Sequence, residues 1–407
     1  MRENSIVRNL FLYLTPIVYW GFYYYVGFSS SITKLPCFVL TFLLIILYFR
    51  ELFTKKYQKG SYSKYVKFFI ILLLVSMFMA YFFWGQGISL GFRSTSWYFV
   101  FLYYFVLLKY KPSSAEVFRL IILFSIVYVL LWSISLLNAP VPLFASDEEL
   151  NDSRGVFRII IRSYDIVCLG YFCCLCKLHN NRVNPLLLAI TVLFFVMVLL
   201  GLTRLIIAAT ILITFVYLFK RMGVTGKVIS TICVVLVMIS FSSVLNYIAE
   251  RDKSGIVSSM IDVTDTQLAD VDEDNSNWRI IEYKMGLWEY PRNIVTYVFG
   301  SGIPHPESSY GKYEASLMTN KSFNRSDAGY PALLISFGLF GLLLFIALFF
   351  KAGRQKTLED AVPFKLFIIF IAIINIMQDA IGFFGVSIAI SLYMLEKDRI
   401  CQIKIMK

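Results

Sequence analysis

Apolar runs of helix length recur along the whole chain, separated by short polar segments. They lie at roughly 7–28, 34–50, 66–84, 94–109, 118–138, 157–176, 185–202, 205–219, 228–247, 329–350, 364–379 and 382–395. Runs of this length suit helices that cross a bilayer. The pattern predicts an all-α, polytopic integral membrane protein of about twelve transmembrane helices. The first run is longer than a signal h-region and lacks a clear small-x-small cleavage site, so it reads as a retained span. One polar interruption is long, at 248–328. The chain therefore divides into helices 1–9 (1–247), a large outer loop (248–328), and helices 10–12 with a tail (329–407).

Composition agrees: 58% of residues are hydrophobic and 16% charged, against about 45–50% and 25% in soluble domains. Lysine and arginine set the orientation. With the N-terminus inside, most of the 38 basic residues fall on inner segments, including "RELFTKKYQKGSYSKYVK" (50–67). The short outer segments hold Lys34, Arg93, Arg154, Arg158, Arg162 and Arg204. Both termini are thus expected in the cytoplasm. The net charge of +12 follows mainly from this bias and is not a nucleic-acid footprint. Six of the seven cysteines fall in spans and the seventh, Cys401, in the tail. "CCLC" (173–176) ends an apolar span without partner histidines and reads as packing. The inner loops are short and carry no Walker-type motif. Chemistry, if any, belongs to the outer face.

The outer loop opens with an acidic stretch, "SSMIDVTDTQLADVDEDNSN" (258–277), followed by a helix-like one, "NWRIIEYKMGLWEYP" (277–291). Trp278, Ile281, Met285 and Trp288 recur on one face, and Arg279, Glu282 and Glu289 on another. Asn277 can cap this helix, and Pro291 stops it. A short amphipathic helix at the interface would put its tryptophans down and turn Arg279 and Glu282 to the bundle mouth.

Several charges need a reason. Thr203-Arg204 sits between two apolar runs each about long enough to cross, so it marks the tip of a tight hairpin near the outer surface. Arg204 either snorkels to lipid headgroups or holds a phosphate in an outward cavity. In "SRGVFRIIIRSYDIV" (153–167), Arg154, Arg158 and Arg162 recur every fourth residue, with Asp165 following. On a helix these four share a stripe about 80° wide. Three cations with one carboxylate leave positive charge over, which suits a pyrophosphate bound bidentately; a structural stripe would need further acidic partners, of which Asp379 is one. Late in the loop come Glu307, Glu314 and Asp327, and His305 is the outer histidine. Asp327, Glu282 and His305 are candidate catalytic bases. No metal-ligand spacing such as HExxH is present, and no metal or cofactor is expected.

The run "NWRIIEYKMGLWEYPRNIVTYVFGSGI" (277–303) with "SDAGYPALLISFGLFGLLLF" (326–345) resembles the O-antigen polymerase/ligase family of bacterial envelopes. The resemblance rests on Arg279, Trp288, Pro291, Gly300-Ser301-Gly302, Gly338–Gly341, and the Thr203-Arg204 turn. It implies a metal-independent glycosyltransferase of the bacterial inner (cytoplasmic) membrane. Its donor would be a glycan on an undecaprenyl-pyrophosphate carrier, with membrane lipid, a chain-length regulator and a flippase as partners. Arg204, Arg279, Arg154, Arg158 and Arg162 would bind the pyrophosphate. The ligase branch has a His-Asn pair where this chain has Ser326-Asp327. That favours a polymerase of repeat units for O-antigen (lipopolysaccharide) or capsule, with ligase the alternative and a lipid-linked oligosaccharide flippase the second. Flippases carry intramembrane arginines but are built from repeated halves, and this chain shows no repeat.

Overall fold

The computed structural model describes residues 5–21, 25, 30–53, 62–138, 143–144, 161–180, 184–201, 203–223, 278–321 and 323–405. The run at 228–247, the acidic stretch, Arg154 and Arg158 lie outside them. Among the described residues every regular element is helical and there is no strand. The helices are α1 (Ser5–Trp20), α2 (Ser30–Phe53), α3 (Ser63–Trp84), α4 (Ile88–Thr95), α5 (Tyr103–Tyr110), α6 (Ser114–Leu137), α7 (Asp165–Asn180), α8 (Pro185–Leu200) and α9 (Arg204–Arg221). After the undescribed stretch come α10 (Trp278–Lys284), α11 (Ile294–Phe299), α12 (Ser309–Lys321), α13 (Tyr330–Arg354), α14 (Val362–Ile374), α15 (Ala380–Phe383) and α16 (Gly385–Ile405).

Three of these, α3, α6 and α13, are long and apolar enough to cross a membrane singly, and α8 is a shorter apolar helix. Boundaries follow local chemistry. Ser113 and Glu116 form a capping box that starts α6, and Arg8 pairs with Glu116. Asn184 caps α8 ahead of Pro185 at its first position. Gly85, in the left-handed region, ends α3.

The core helices are buried on all sides. Phe99–Leu107, Ile166–Cys176 and Val386–Leu395 are continuously buried, cysteines 168, 173, 174 and 176 included. Helices around them turn large apolar side chains outward, such as Val39, Phe42, Phe82 and Leu130. A helix apolar all round belongs inside, and an apolar exterior belongs in hydrocarbon.

Polar bonds gather at two ends. At one, the Tyr62 amide donates to Glu396 (3.0 Å), the Tyr393 hydroxyl and Lys397 ammonium reach the Pro112 carbonyl, and Arg221 pairs with Glu359. At the other, the Tyr164 hydroxyl donates to the Val198 carbonyl (2.6 Å), Gln86 to the Ile303 carbonyl (2.9 Å) and Tyr283 to the Ile376 carbonyl. In these bonds the first group joins residues that the basic bias expects inside, and the second joins residues that it expects outside. The two ends are called inner and outer after that expectation.

Four expectations need correction. The run at 94–109 is not one helix: α4 tightens into a 3₁₀ segment, Ser96–Leu102, before α5 resumes. Among the described residues of the run at 157–176, helix begins at Asp165, because Ser163 takes a left-handed φ of 70°. Arg162 therefore precedes the helix in a turn, and the proposed arginine stripe does not extend through Arg162 and Asp165. A helix forms at Trp278–Lys284, but its faces differ from the expected ones, with Glu282 buried and Ile280 exposed, and a π turn at Met285–Glu289 inserts a residue. Met285 stays buried while Trp288 swings out to 70% exposure.

The fourth concerns the loop, whose second half does not simply lie over the surface. Gly338 breaks α13 with φ 68° and ψ −170°. The Gly300–Gly302 turn enters that break, where the Ser301 amide donates to the Ile335 carbonyl at 2.6 Å. Phe299 packs on Phe340, and Gly302 abuts the Ser76 carbonyl of α3. Both Gly338 and Ser76 lie about 12 Å along their helices from the outer ends, at 1.5 Å per residue. The turn at 300–303 is thus re-entrant between α3 and α13, its residues buried in protein.

Side chains cannot be added there. A Cβ on Gly338 would stand 2.2 Å from the Val298 carbonyl oxygen, and on Gly300 2.6 Å from that of Ser336, whereas at Gly353 it meets nothing within 4 Å. Gly338→Ala should lower stability by at least about 1–3 kcal/mol from backbone strain alone, with Gly353→Ala neutral or stabilising by about 0.4–1 kcal/mol. Thermal unfolding in detergent, followed by tryptophan fluorescence, measures both. Equal melting temperatures would mean the re-entrant turn is not seated as described.

Candidate functional site

The outer end collects polar groups where the loop re-enters the bundle. Asn324 caps a single 3₁₀ turn, Arg325–Asp327, its side-chain oxygen accepting the Ser326 hydroxyl at 2.8 Å and its amide donating to Asp327 at 3.2 Å. Gly329, with φ 55°, then passes close to the Asn375 carbonyl and leads into Pro331 at the start of α13. This tight turn directs Arg325 inward.

The Arg325 guanidinium is held from two sides. Its Nε lies 2.9 Å from Oε1 of Glu314 on α12, and its Nη1 donates to the Ser336 hydroxyl on α13 at 2.9 Å. Asp379 stands within Coulombic reach of it. That carboxylate caps α15 through the Gly382 amide (3.1 Å) and accepts the Tyr98 hydroxyl at 2.9 Å, while its own amide donates to the Ser326 carbonyl at 2.8 Å. Four distant segments thereby meet on one arginine. Beside them Tyr310 stacks on Trp84 at 4.2 Å, and Arg292 covers the opposite face of Trp84 at 3.6 Å.

A second polar region adjoins the first. Arg204 is the exposed first residue of α9. The Thr203 hydroxyl donates to the Gly201 carbonyl instead of capping that helix. Gly201 rests on the ring of Tyr164, whose hydroxyl also ties down the end of α8. The hairpin tip is therefore packed against the turn that carries Arg162. Arg162 in turn lies 4.1 Å over the Trp97 ring, the neighbour in sequence of Tyr98. An unbroken row of contacts runs from the Arg204 hairpin through Arg162, Trp97 and Tyr98 to Asp379 and Arg325.

The structure gathers the sequence candidates unevenly. Asp327 lies in the junction, partly exposed, and Arg204 and Arg162 lie along the row. Glu282 is fully buried on α10 rather than open at the mouth. Arg279 is in α10, with its side chain outside the described set, as are Arg154 and Arg158 altogether. Asp165 accepts from Ser387 of α16, so it is tied to a hydroxyl there. His305 is elsewhere: its amide donates to Gln86 (2.8 Å), its Nδ1 accepts the Glu307 amide, and Arg93, Lys34 and Glu307 are its charged neighbours. Arg325, Glu314 and Tyr98 form the centre of the cluster, and Arg325 was not singled out from the sequence. The available signal was an arginine directly preceding Ser-Asp at the start of a span.

Residues 189–346 match the family model described as O-antigen ligase. The match spans α8, the Arg204 hairpin, Arg279, the re-entrant turn, Arg325 and the Gly338–Gly341 break, and so covers each motif on which the sequence resemblance rests. No curated protein matches the chain.

Burial lowers the pKa of His305 below its usual 6.5, Arg93 and Lys34 act in the same direction, and Glu307 opposes them. A base whose folded pKa is depressed binds fewer protons folded than unfolded, so stability is lost as pH falls through about 6.5. The chain has two histidines, so in a His179→Asn variant a histidine NMR titration reports His305 alone. The midpoint is expected below 6.5; one above it would show Glu307 outweighing burial.

Proposed function

We propose that this chain polymerises lipid-linked oligosaccharide repeat units at the outer face of the bacterial cytoplasmic membrane, as a twelve-span protein with both termini inside. The observation that carries the choice of polymerase over ligase is the junction turn. It presents Ser326-Asp327 where the resemblance sets the His-Asn pair of the ligase branch, and His305 bonds Gln86 and the Glu307 amide, not the residues of that turn.

In this reading the donor is a growing glycan on undecaprenyl pyrophosphate. The acceptor is the non-reducing end of one lipid-linked repeat unit, delivered by a flippase, with length set by a separate regulator. The acceptor hydroxyl oxygen bonds to the donor sugar's anomeric carbon as the bond from that carbon to pyrophosphate breaks. The hydroxyl proton passes to a carboxylate, for which Asp327 is the best placed, and undecaprenyl pyrophosphate leaves. The free energy resides in the donor, so no nucleotide is required. Charge developing on the pyrophosphate calls for fixed cations. Arg204 supplies one at the N-terminus of α9, a position where a cation opposes the helix dipole and lowers helix stability. Cation and helix end together raise a positive potential at one point, suited to an anion. Arg162 sits beside that hairpin, and Arg279, Arg154 and Arg158 complete the expected set. The coupling is metal-independent, driven by positioned charge and one base.

Purified protein given lipid-linked repeat units should produce a ladder of lengths. Transfer of label to a different acceptor would establish a ligase instead, and translocation without a new linkage a flippase. One charge-assisted bond contributes about 1.5–3 kcal/mol, so Arg204→Ala should insert normally yet lose roughly 10–100-fold in turnover. Arg204→Lys should retain part of the activity, keeping charge but losing the two-pronged geometry. Equal activity of both variants with wild type, at matched expression, would reduce Arg204 to a headgroup anchor.

A further inference from the structure

We propose that the cluster around Arg325 is a subsite for the hydroxyls of the acceptor sugar, selective for neutral or amino-bearing sugars over acidic ones; this rests on the glycosyltransferase reading. The charge balance points away from a second pyrophosphate site. The Arg325 guanidinium is already paired with Glu314 at 2.9 Å, and a second carboxyl group, Asp379, stands nearby, held by Tyr98 at 2.9 Å. Asp327 lies on the same turn. A pyrophosphate there would have to compete with carboxyl groups already placed around the guanidinium, whereas the Arg204 hairpin and Arg162 turn offer cations.

The same groups match a polyol. A sugar hydroxyl both donates and accepts, and vicinal pairs are read best by carboxylate acceptors next to fixed N–H donors. Nε and Nη1 of Arg325 are engaged by Glu314 and Ser336, and among the described residues Nη2 carries no hydrogen bond. Glu314 remains about one-fifth exposed. Asn324, Arg325, Ser326 and Asp327 are all partly exposed, forming a polar shelf around that edge. The supports are rigid. Glu314 is on α12, Ser336 on α13, and the turn is locked by Asn324 and by the Asp379 amide on the Ser326 carbonyl. Binding groups fixed before the substrate arrives lose little entropy on engagement. Asp327, the proposed base, belongs to this shelf, so a sugar bound to it would present its hydroxyl to the base while the donor pyrophosphate sits at the cationic end of the row.

The test uses the full-length protein in nanodiscs, with the lipid-free repeat-unit oligosaccharide released by mild acid from the host's own precursor as one probe and inorganic pyrophosphate as the other. The oligosaccharide should give saturation-transfer NMR signals with wild type. Glu314→Gln and Arg325→Lys should weaken its binding roughly ten- to hundredfold in protein that remains folded, and pyrophosphate should not displace it. In turnover assays Glu314→Gln should raise KM for the acceptor and leave KM for the donor unchanged. Displacement by pyrophosphate, or a rise in donor KM alone, would overturn the assignment in favour of an anion site. A purely structural pair makes a different forecast: the apolar double variant Arg325→Met/Glu314→Met, which leaves no buried charge unpaired, would fold and regain binding and activity. A folded double variant without oligosaccharide binding supports the subsite. Oligosaccharide binding by a protein that makes no polymer would keep the subsite and sink the polymerase reading.

Discussion

Hydrocarbon offers no water to an amide, so a chain that leaves its helix within the membrane must find its hydrogen bonds in protein. That constraint organises the outer end. Gly338 opens α13 and frees the Ile335 carbonyl, and the Ser301 amide fills the vacancy at 2.6 Å. Once this turn is seated, the path of the loop is fixed on both sides. α11 precedes it against Phe340, and the Ile303 carbonyl beyond it accepts from Gln86. α12 follows, carrying Glu314 to Arg325, and Tyr310 to Trp84. The placing of Glu314 and Tyr310 beside Arg325 and Trp84 follows from that one insertion.

The polar row at the outer end is graded in charge. The hairpin end carries cations with helix N-terminal amides. At the junction end the Arg325 guanidinium is paired with Glu314, with the carboxyl groups of Asp379 and Asp327 close by. A reaction that expels a pyrophosphate from one sugar while deprotonating a hydroxyl of another needs that asymmetry, since one pole must favour charge leaving and the other must accept a proton. Uniform positive potential would hold both substrates by their phosphates and leave the acceptor hydroxyl without a base.

Periodicity and residue chemistry made much of this legible. Most of the long apolar runs among the described residues became helices, and Thr203-Arg204 turned a hairpin; the glycines at 300, 302 and 338, read only as carriers of the resemblance, sit where backbones approach closely. Local patterns failed where a tertiary contact set the conformation. Ser163 takes a left-handed φ with its hydroxyl on the Trp20 carbonyl, which ends the arginine stripe. The π turn after Lys284 lets Gly286 pack on Pro331 and moves Trp288 off the face that helical spacing gives it. Arg325 and Tyr98 were missed, and their grouping with Glu314 and Asp379 was hidden, for another reason: no spacing links residues drawn from a 3₁₀ segment, a loop helix, a junction turn and the cap of a short helix near the chain's end.

The matched stretch, 189–346, contains Glu314, Arg325 and Ser336 but neither Tyr98 nor Asp379. The cluster is therefore not a transplantable module. Grafted into the scaffold of a protein that matches the same family model, the stretch would bring the arginine and its loop partner while inheriting whatever the host supplies opposite them. Chimaeras that exchange only this portion should be judged first by what faces position 325, and a mismatch there repaired by carrying over the segments around 98 and 379 as well.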